Sequence, residues 1–148
     1  MTLDELEAAV IQWAEDKGLL TDITDQRIEA QTLKVLEETG ETAAAQLKQD
    51  NLKFVDGIGD MAVTLLILAK MRNTELKDVD LGYIERPTLI HFVGCIAAIV
   101  PEYLGTAYCL LQRFATYHSL DFKSCLEIAY NEIADRKGKM FNNTFVKD

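Results

Sequence analysis

An all-α fold is predicted by three observations. Apolar residues recur every three or four positions in successive segments, capping and breaking residues fall between those segments, and the two prolines, Pro87 and Pro101, stand where helices would start. The chain has 148 residues, 49% of them hydrophobic, which suits one domain with a full core, so residues 1–148 are expected to fold as a single unit.

The first segment is acidic and amphipathic. Leu6, Ala9, Val10, Trp13 and Ala14 form a stripe at helical spacing and Lys17-Gly18 ends it, giving an expected helix from Leu3 to Lys17. Such a start fits neither a secretory signal nor a transit peptide. Trp13 is the sole tryptophan; its stripe favours a core anchor, and stacking against a base is the functional alternative.

After a loop over Leu19 to Thr24, Thr24 or Asp25 can cap a long helix running to about Gln49, which Asp50 or Asn51 breaks before the next. On the long helix Lys34, Glu38 and Glu41 share a side, bordering an apolar stripe of Ile28, Val35, Thr39, Ala43 and Leu47, while Glu37 points further outward. On the following helix only Thr64 interrupts an apolar run from Met61 to Ala69, and Lys53, Asp56, Asp60 and Thr64 make one narrow polar stripe. Four carboxylates, Glu38, Glu41, Asp56 and Asp60, could thus converge across a helical hairpin. An acidic ridge is ordinarily a solvated face, but a helix buried nearly all round does not leave Asp60 in open water. Converging carboxylates repel and are costly to keep ionised away from water, so the cluster calls for cations, and hard oxygen ligands suit Mg²⁺ or Mn²⁺. Gly40, Gly57 and Gly59 beside these acids each weaken helix propensity by about 1 kcal/mol relative to alanine. Close approach of another backbone, or of a phosphate, would explain them.

Residues Asn73 to Asp80 are polar and turn-like. Two apolar helices then follow, about Pro87 to Val100 and Pro101 to His118, interrupted by Glu102, Gln112 and Arg113 and so unfit to span a membrane. This pair, about residues 81–118, is expected to add either core or an oligomer surface, and a homodimer or homotetramer is anticipated. His91 is expected in the core and His118 near a helix end. The last helix starts after Leu120 with Asp121 as its cap, and Phe122, Cys125, Leu126, Ala129 and Ile133 form its buried stripe. Asn131 and Asp135 lie on another ridge. Arg136, Lys137 and Lys139 then gather positive charge, expected at the helix C-terminus, where it complements the helix dipole or holds phosphate oxygens.

Net charge of −9 argues against binding nucleic acid or an anionic membrane by bulk electrostatics. Cys95, Cys109 and Cys125 have no metal-ligand spacing and suggest small core residues in a reducing compartment, the cytoplasm.

Glu-Glu-x-x-Glu at Glu37 to Glu41, followed by Ile58-Gly59-Asp60 leading into an apolar helix, resembles the MazG-like family of all-α nucleoside triphosphate pyrophosphohydrolases. The C-terminal AYNEIADRKGKMFNNTFVKD is similar to small phage-type members, and together the matches cover about half of the chain. The resemblance implies a helical bundle, to which the pair at 81–118 would be an insertion. It also implies Mg²⁺ held by Glu38, Glu41 and two acids of the next helix, and hydrolysis of nucleoside or deoxynucleoside triphosphates to monophosphate and pyrophosphate, a chemistry of nucleotide-pool control. The common family pattern would place a glutamate at position 57, where this chain has Gly57; Asp56 is the nearest carboxylate and still shares a face with Asp60.

The resulting expectation assigns Glu38, Glu41, Asp56 and Asp60 to the metal, with Glu38 or Glu41 also orienting a water for in-line attack on phosphorus. Trp13, Lys34, Asn131, Arg136 and Lys139 are the candidate substrate contacts. No phosphate loop of the Gly-x-x-x-x-Gly-Lys type is present. A di-iron carboxylate bundle would need Glu-x-x-His pairs, which these glutamates lack. A non-catalytic helical binding or oligomerisation protein is the alternative.

Overall fold

The computed structural model describes residues 1–76, 78–98 and 100–148. In chain order it contains α1 (Leu3–Asp16), α2 (Asp25–Lys48), α3 (Asn51–Met71), α4 (Leu89–Ala97), α5 (Tyr103–Tyr117), α6 (Phe122–Ala134), β1 (Gly138–Phe141) and β2 (Thr144–Lys147). Side-chain caps set most helix starts. Thr2 and Glu5 form a reciprocal capping box on α1, while Thr24, Asp50 and Asp121 accept from the backbone of α2, α3 and α6. Gln49 closes α2 in the left-handed conformation, turning the chain directly into α3.

The centre of the molecule is α3. Every residue from Met61 to Ala69 is buried, because α1, α2, α5 and α6 all pack against it. Each fully buried leucine or isoleucine there contributes roughly 1.5–3 kcal/mol. Two glycines let the neighbours come close. A Cβ on Gly57 would meet Thr42 Oγ1 of α2 at 2.3 Å, and one on Gly59 would meet the Cys125 carbonyl of α6 at 2.2 Å. Close approach of Thr42, chiefly its side chain, to Gly57 and of the α6 backbone to Gly59 therefore explains these two. Gly40 has nothing within 4 Å of where its Cβ would lie.

Several expectations are corrected. The helix expected from Pro87 begins at Leu89, capped by Thr88, and is nine residues long; of the expected span to Val100, Ile99 lies outside the described residues, as does Lys77 of the stretch expected to be turn-like. The 81–118 pair is mainly additional core: Leu89, Phe92, Ile96, Leu104, Leu111 and Phe114 join the same apolar cluster as α3. Tyr108 of α5 also donates a hydrogen bond to Glu7 of α1. His91 is exposed and closes the α4 capping box instead of entering the core, and Leu47, expected on the stripe bordering the core, is 86% exposed. Residues 138–147 form an antiparallel hairpin with Asn142 and Asn143 at positive φ, which asparagine tolerates in a two-residue turn. Lys139 consequently belongs to β1 and not to a helix end.

The α3–α6 contact yields a prediction. Gly59→Ala should destabilise the protein by about 2 kcal/mol, since α6 backbone must move to admit the methyl group. Gly94→Ala, in α4 with open space around it, should be neutral or stabilising. Urea denaturation of the two variants measures both.

Candidate functional site

Because α2 and α3 are antiparallel neighbours joined by a two-residue turn, the acids of the two helices lie along one seam. Gln31 Nε2 of α2 donates to the Thr64 carbonyl of α3 at 2.9 Å, a buried tie between the helices at the level of the site, while the Thr64 hydroxyl donates within α3 to the Asp60 carbonyl at 2.9 Å.

Asp60 is where two concavities meet. On one side lies a cavity of about 440 Å³ bounded by α1, α2, α3, α6 and the hairpin. Its lining combines the charged Lys34, Glu37, Glu38, Asp60, Arg136 and Lys147 with the apolar Trp13, Ile67, Met71, Met140 and Phe145. On the other side a cleft of about 390 Å³ holds Glu41, Asp56 and Asp60 together with Lys48 and Lys53.

The electrostatics single out Asp60. Burial, then the charges of Asp56, Glu38 and Glu132, push its carboxyl up to about 7, against a pull downward from Arg136. Glu38 is raised by burial and by Glu41 and Glu37, although Lys34 at 3.3 Å holds it back. Lys34 also reaches Glu37 at 3.1 Å; burial lowers its ammonium, and the two carboxylates more than offset that. Asp56 Oδ1 is buried with no hydrogen-bond partner, an arrangement that leaves a polar oxygen unsatisfied.

Of the residues expected from sequence, the structure brings Trp13, Lys34, Glu38, Asp60 and Arg136 to one cavity, and Glu41, Asp56 and Asp60 to the adjoining cleft. Asn131 and Lys139 are exposed and line neither. The hairpin cation at the cavity is Lys147. Gly57 is buried against Thr42, so a glutamate at that position would run into α2, and Asp56 is the carboxylate this packing permits. Sequence reasoning passed over the hairpin wall, Met140 and Asn143 to Lys147; Asn142-Asn143 between two short apolar-containing runs was its signal.

The donor set fits a hard cation in chemistry: an unpartnered Asp56 oxygen, a destabilised Asp60 carboxylate and Glu38 and Glu41 beside them. Among the described residues, however, no three His, Cys, Asp or Glu side chains are drawn together in an arrangement that could already hold a metal ion.

Comparison with known proteins finds a relative in a phage. Over 75 residues the chain is 40% identical to an "Uncharacterized 18.2 kDa protein in rep-hol intergenic region" of Haemophilus phage HP1 (strain HP1c1), a match covering 49% of this chain and 43% of that protein. The matched part is thus under half the length of the phage protein, whose name states a mass and a genomic position. No protein-family model matches the chain, and no solved structure matches it. Among the described residues no helix is long and apolar enough to cross a membrane.

Asp60 gives a pH prediction. Its folded pKa, about 7, lies above the ordinary 3.8, so folding disfavours the ionised form. The stability this proton holds is complete below pH 3.8 and is lost as pH rises through 7. In metal-free buffer Asp60→Asn should therefore be more stable than wild type at pH 8, on the order of a few kcal/mol, with the gap closing towards pH 4. Thermal melts across that range test it.

Proposed function

We propose that the chain is a Mg²⁺- or Mn²⁺-dependent nucleoside triphosphate pyrophosphohydrolase, releasing monophosphate and pyrophosphate. The observation that carries this reading is the position of Asp60, shared by a carboxylate cleft and by a cavity whose lining combines cationic and acidic side chains with aromatic and apolar ones. A triphosphate with an attached base combines the same two chemistries.

Glu38, Glu41, Asp56 and Asp60 would hold the cation, which when bound supplies Lewis-acid neutralisation of phosphate oxygens. Lys34 of α2 and Arg136, just past α6, would grip phosphate, Arg136 through directional hydrogen bonds and Lys34 as a point charge once drawn away from Glu37. Trp13 and Phe145, edge to face at 5.4 Å, give the base an apolar end wall. Water attacks the phosphorus in line, a new P–O bond forms, and the bridging P–O bond to pyrophosphate breaks. Glu38 or Glu41 orients the water and accepts its proton. A net charge of −9 opposes the approach of a polyanion, so local cations must supply the attraction.

The second reading, a non-catalytic binding protein built on the same helices, draws on the fact that Lys34 already neutralises Glu37 and Glu38 and that the acids are not gathered into a cage. Two measurements separate the readings. With Mg²⁺ and a panel of nucleoside and deoxynucleoside triphosphates, wild type should release pyrophosphate, and Asp60→Asn and Glu38→Gln should each lose it by a factor of about 100 or more. Mg²⁺ should also raise the Tm of wild type and not of Asp60→Asn. Turnover unaffected by either substitution would contradict the proposal.

Substrate grip can be tested apart from chemistry. Arg136→Ala should raise KM about tenfold, roughly 1.4 kcal/mol, with a smaller effect on kcat, whereas Lys139→Ala, outside the cavity, should change neither. Steady-state kinetics at saturating Mg²⁺ distinguishes the two.

A further inference from the structure

Lys53 stands where helix chemistry disfavours a cation. Asp50 Oδ1 caps α3 by accepting from the backbone N–H of Lys53, which is therefore the third residue of the helix, in the turn that carries the positive end of the dipole. A capping box would place a glutamate or glutamine there, as Glu5 stands in α1.

Its charge is not neutralised within the chain. Among the described residues neither Lys53 nor Lys48, the other cation of the cleft beside Asp60, forms an ion pair, whereas Lys34 pairs with Glu37 and Glu38. Glu41, Asp56 and Asp60 line the same cleft, and Asp56 keeps a buried oxygen without a hydrogen-bond partner. The cleft thus holds unpaired cations and an unsatisfied acid side by side.

The two lysines are placed alike. Lys48 follows Glu41 by seven residues on α2 and Lys53 precedes Asp60 by seven on α3, about 10.5 Å along the axis in each case, so each shares a face with its acid. Because the helices are antiparallel and joined at Gln49 and Asp50, both steps run towards the turn. Between acids and lysines along the helices lie Ala44, Ala45 and Gly57, whose small size leaves the cleft open.

The lining also fixes a direction. A nucleobase needs aromatic and apolar contacts, and of the two concavities the cavity has them, in Trp13, Met140 and Phe145, while the cleft offers two alanines and a glycine. With the base in the cavity and Asp60 common to both, the phosphates beyond the reacting phosphorus continue into the cleft.

We infer that the cleft is a pyrophosphate subsite: Lys48 and Lys53 hold the β- and γ-phosphates of the triphosphate, and the monophosphate product stays in the cavity. As water bonds to the α-phosphorus, the bond from that phosphorus to the bridging oxygen breaks. Its electron pair leaves on the oxygen with pyrophosphate, and the two ammonium groups offset the charge gained. This assignment rests on the proposed hydrolysis for the identity of the ligand, and adds to it the way the triphosphate lies.

Isothermal titration calorimetry of the full chain with inorganic pyrophosphate at saturating Mg²⁺ tests it without turnover. The double variant Lys48→Gln with Lys53→Gln, at two exposed positions, should fold like wild type by circular dichroism and bind pyrophosphate about tenfold more weakly or worse. Lys48→Arg with Lys53→Arg should keep most of the affinity, since the charge is retained. Mg²⁺ alone should bind the glutamine variant at least as tightly as wild type, because two cations have been taken from beside a cation site. Weaker Mg²⁺ binding would show the lysines shaping the metal site and not holding phosphate, and would overturn the inference. So would a wild type that binds no pyrophosphate, or an affinity that the glutamine substitutions leave unchanged. The hydrolysis reading is decided separately, by release of pyrophosphate from the triphosphate panel: a chain that releases none, yet loses pyrophosphate affinity in the glutamine variant, keeps the subsite and loses that reading.

Discussion

The close contact between α2 and α3 at Gly57 and Thr42 is the constraint on which the rest of the structure depends. Two helices can approach that tightly only where one lacks a side chain, and the approach buries the α3 face that carries the core. It also fixes the height at which Asp56 and Asp60 stand relative to Glu38 and Glu41. With any side chain at position 57 the helices would separate, and the acids of the seam would move apart with them.

That geometry has an electrostatic consequence. Asp60 is held among Asp56, Glu38 and Glu132 with Arg136 as its counterweight, so its ionised form is disfavoured and the fold stores a site in need of positive charge. Asp56 adds a buried oxygen without a hydrogen-bond partner. Such unsatisfied groups oppose folding, and a ligand that completes them is rewarded by as much as they cost. The cavity beside Asp60 then offers both the cations and the apolar wall that a phosphorylated ring compound would use, with Lys34 partly committed to its own helix until a stronger anion draws it away.

Most of the helices were legible because the signals are local. Asp121 caps the helix it was expected to cap, Thr24 is the one of the Thr24–Asp25 candidates that caps α2, Asp50 stands at the expected break, where it caps α3, and the Met61 to Ala69 run is buried as its composition requires. The pairing of α2 with α3 was also legible, from the acidic ridges and the glycines. What escaped depended on tertiary placement. Lys139 could be assigned to a helix end only by reading past Asn142-Asn143, whose left-handed backbone makes a hairpin and puts Lys147 at the cavity instead. Leu47 fits the apolar period of α2 yet lies beyond the reach of the core, since periodicity says which face a residue occupies and not whether anything covers it. Asp56 was placed in the seam by spacing, but that its neighbour Gly57 is locked against Thr42 required the packed structure.

The central claim is that the α2–α3 seam is a divalent-cation site centred on Asp60. The most direct measurement is NMR titration of the Asp60 side-chain carboxyl carbon in the metal-free protein and again at saturating Mg²⁺. Without metal the midpoint should lie near 7, as its burial and acidic neighbours dictate, and Mg²⁺ should move it well below the ordinary carboxylate value. A midpoint that Mg²⁺ leaves unchanged would contradict the account.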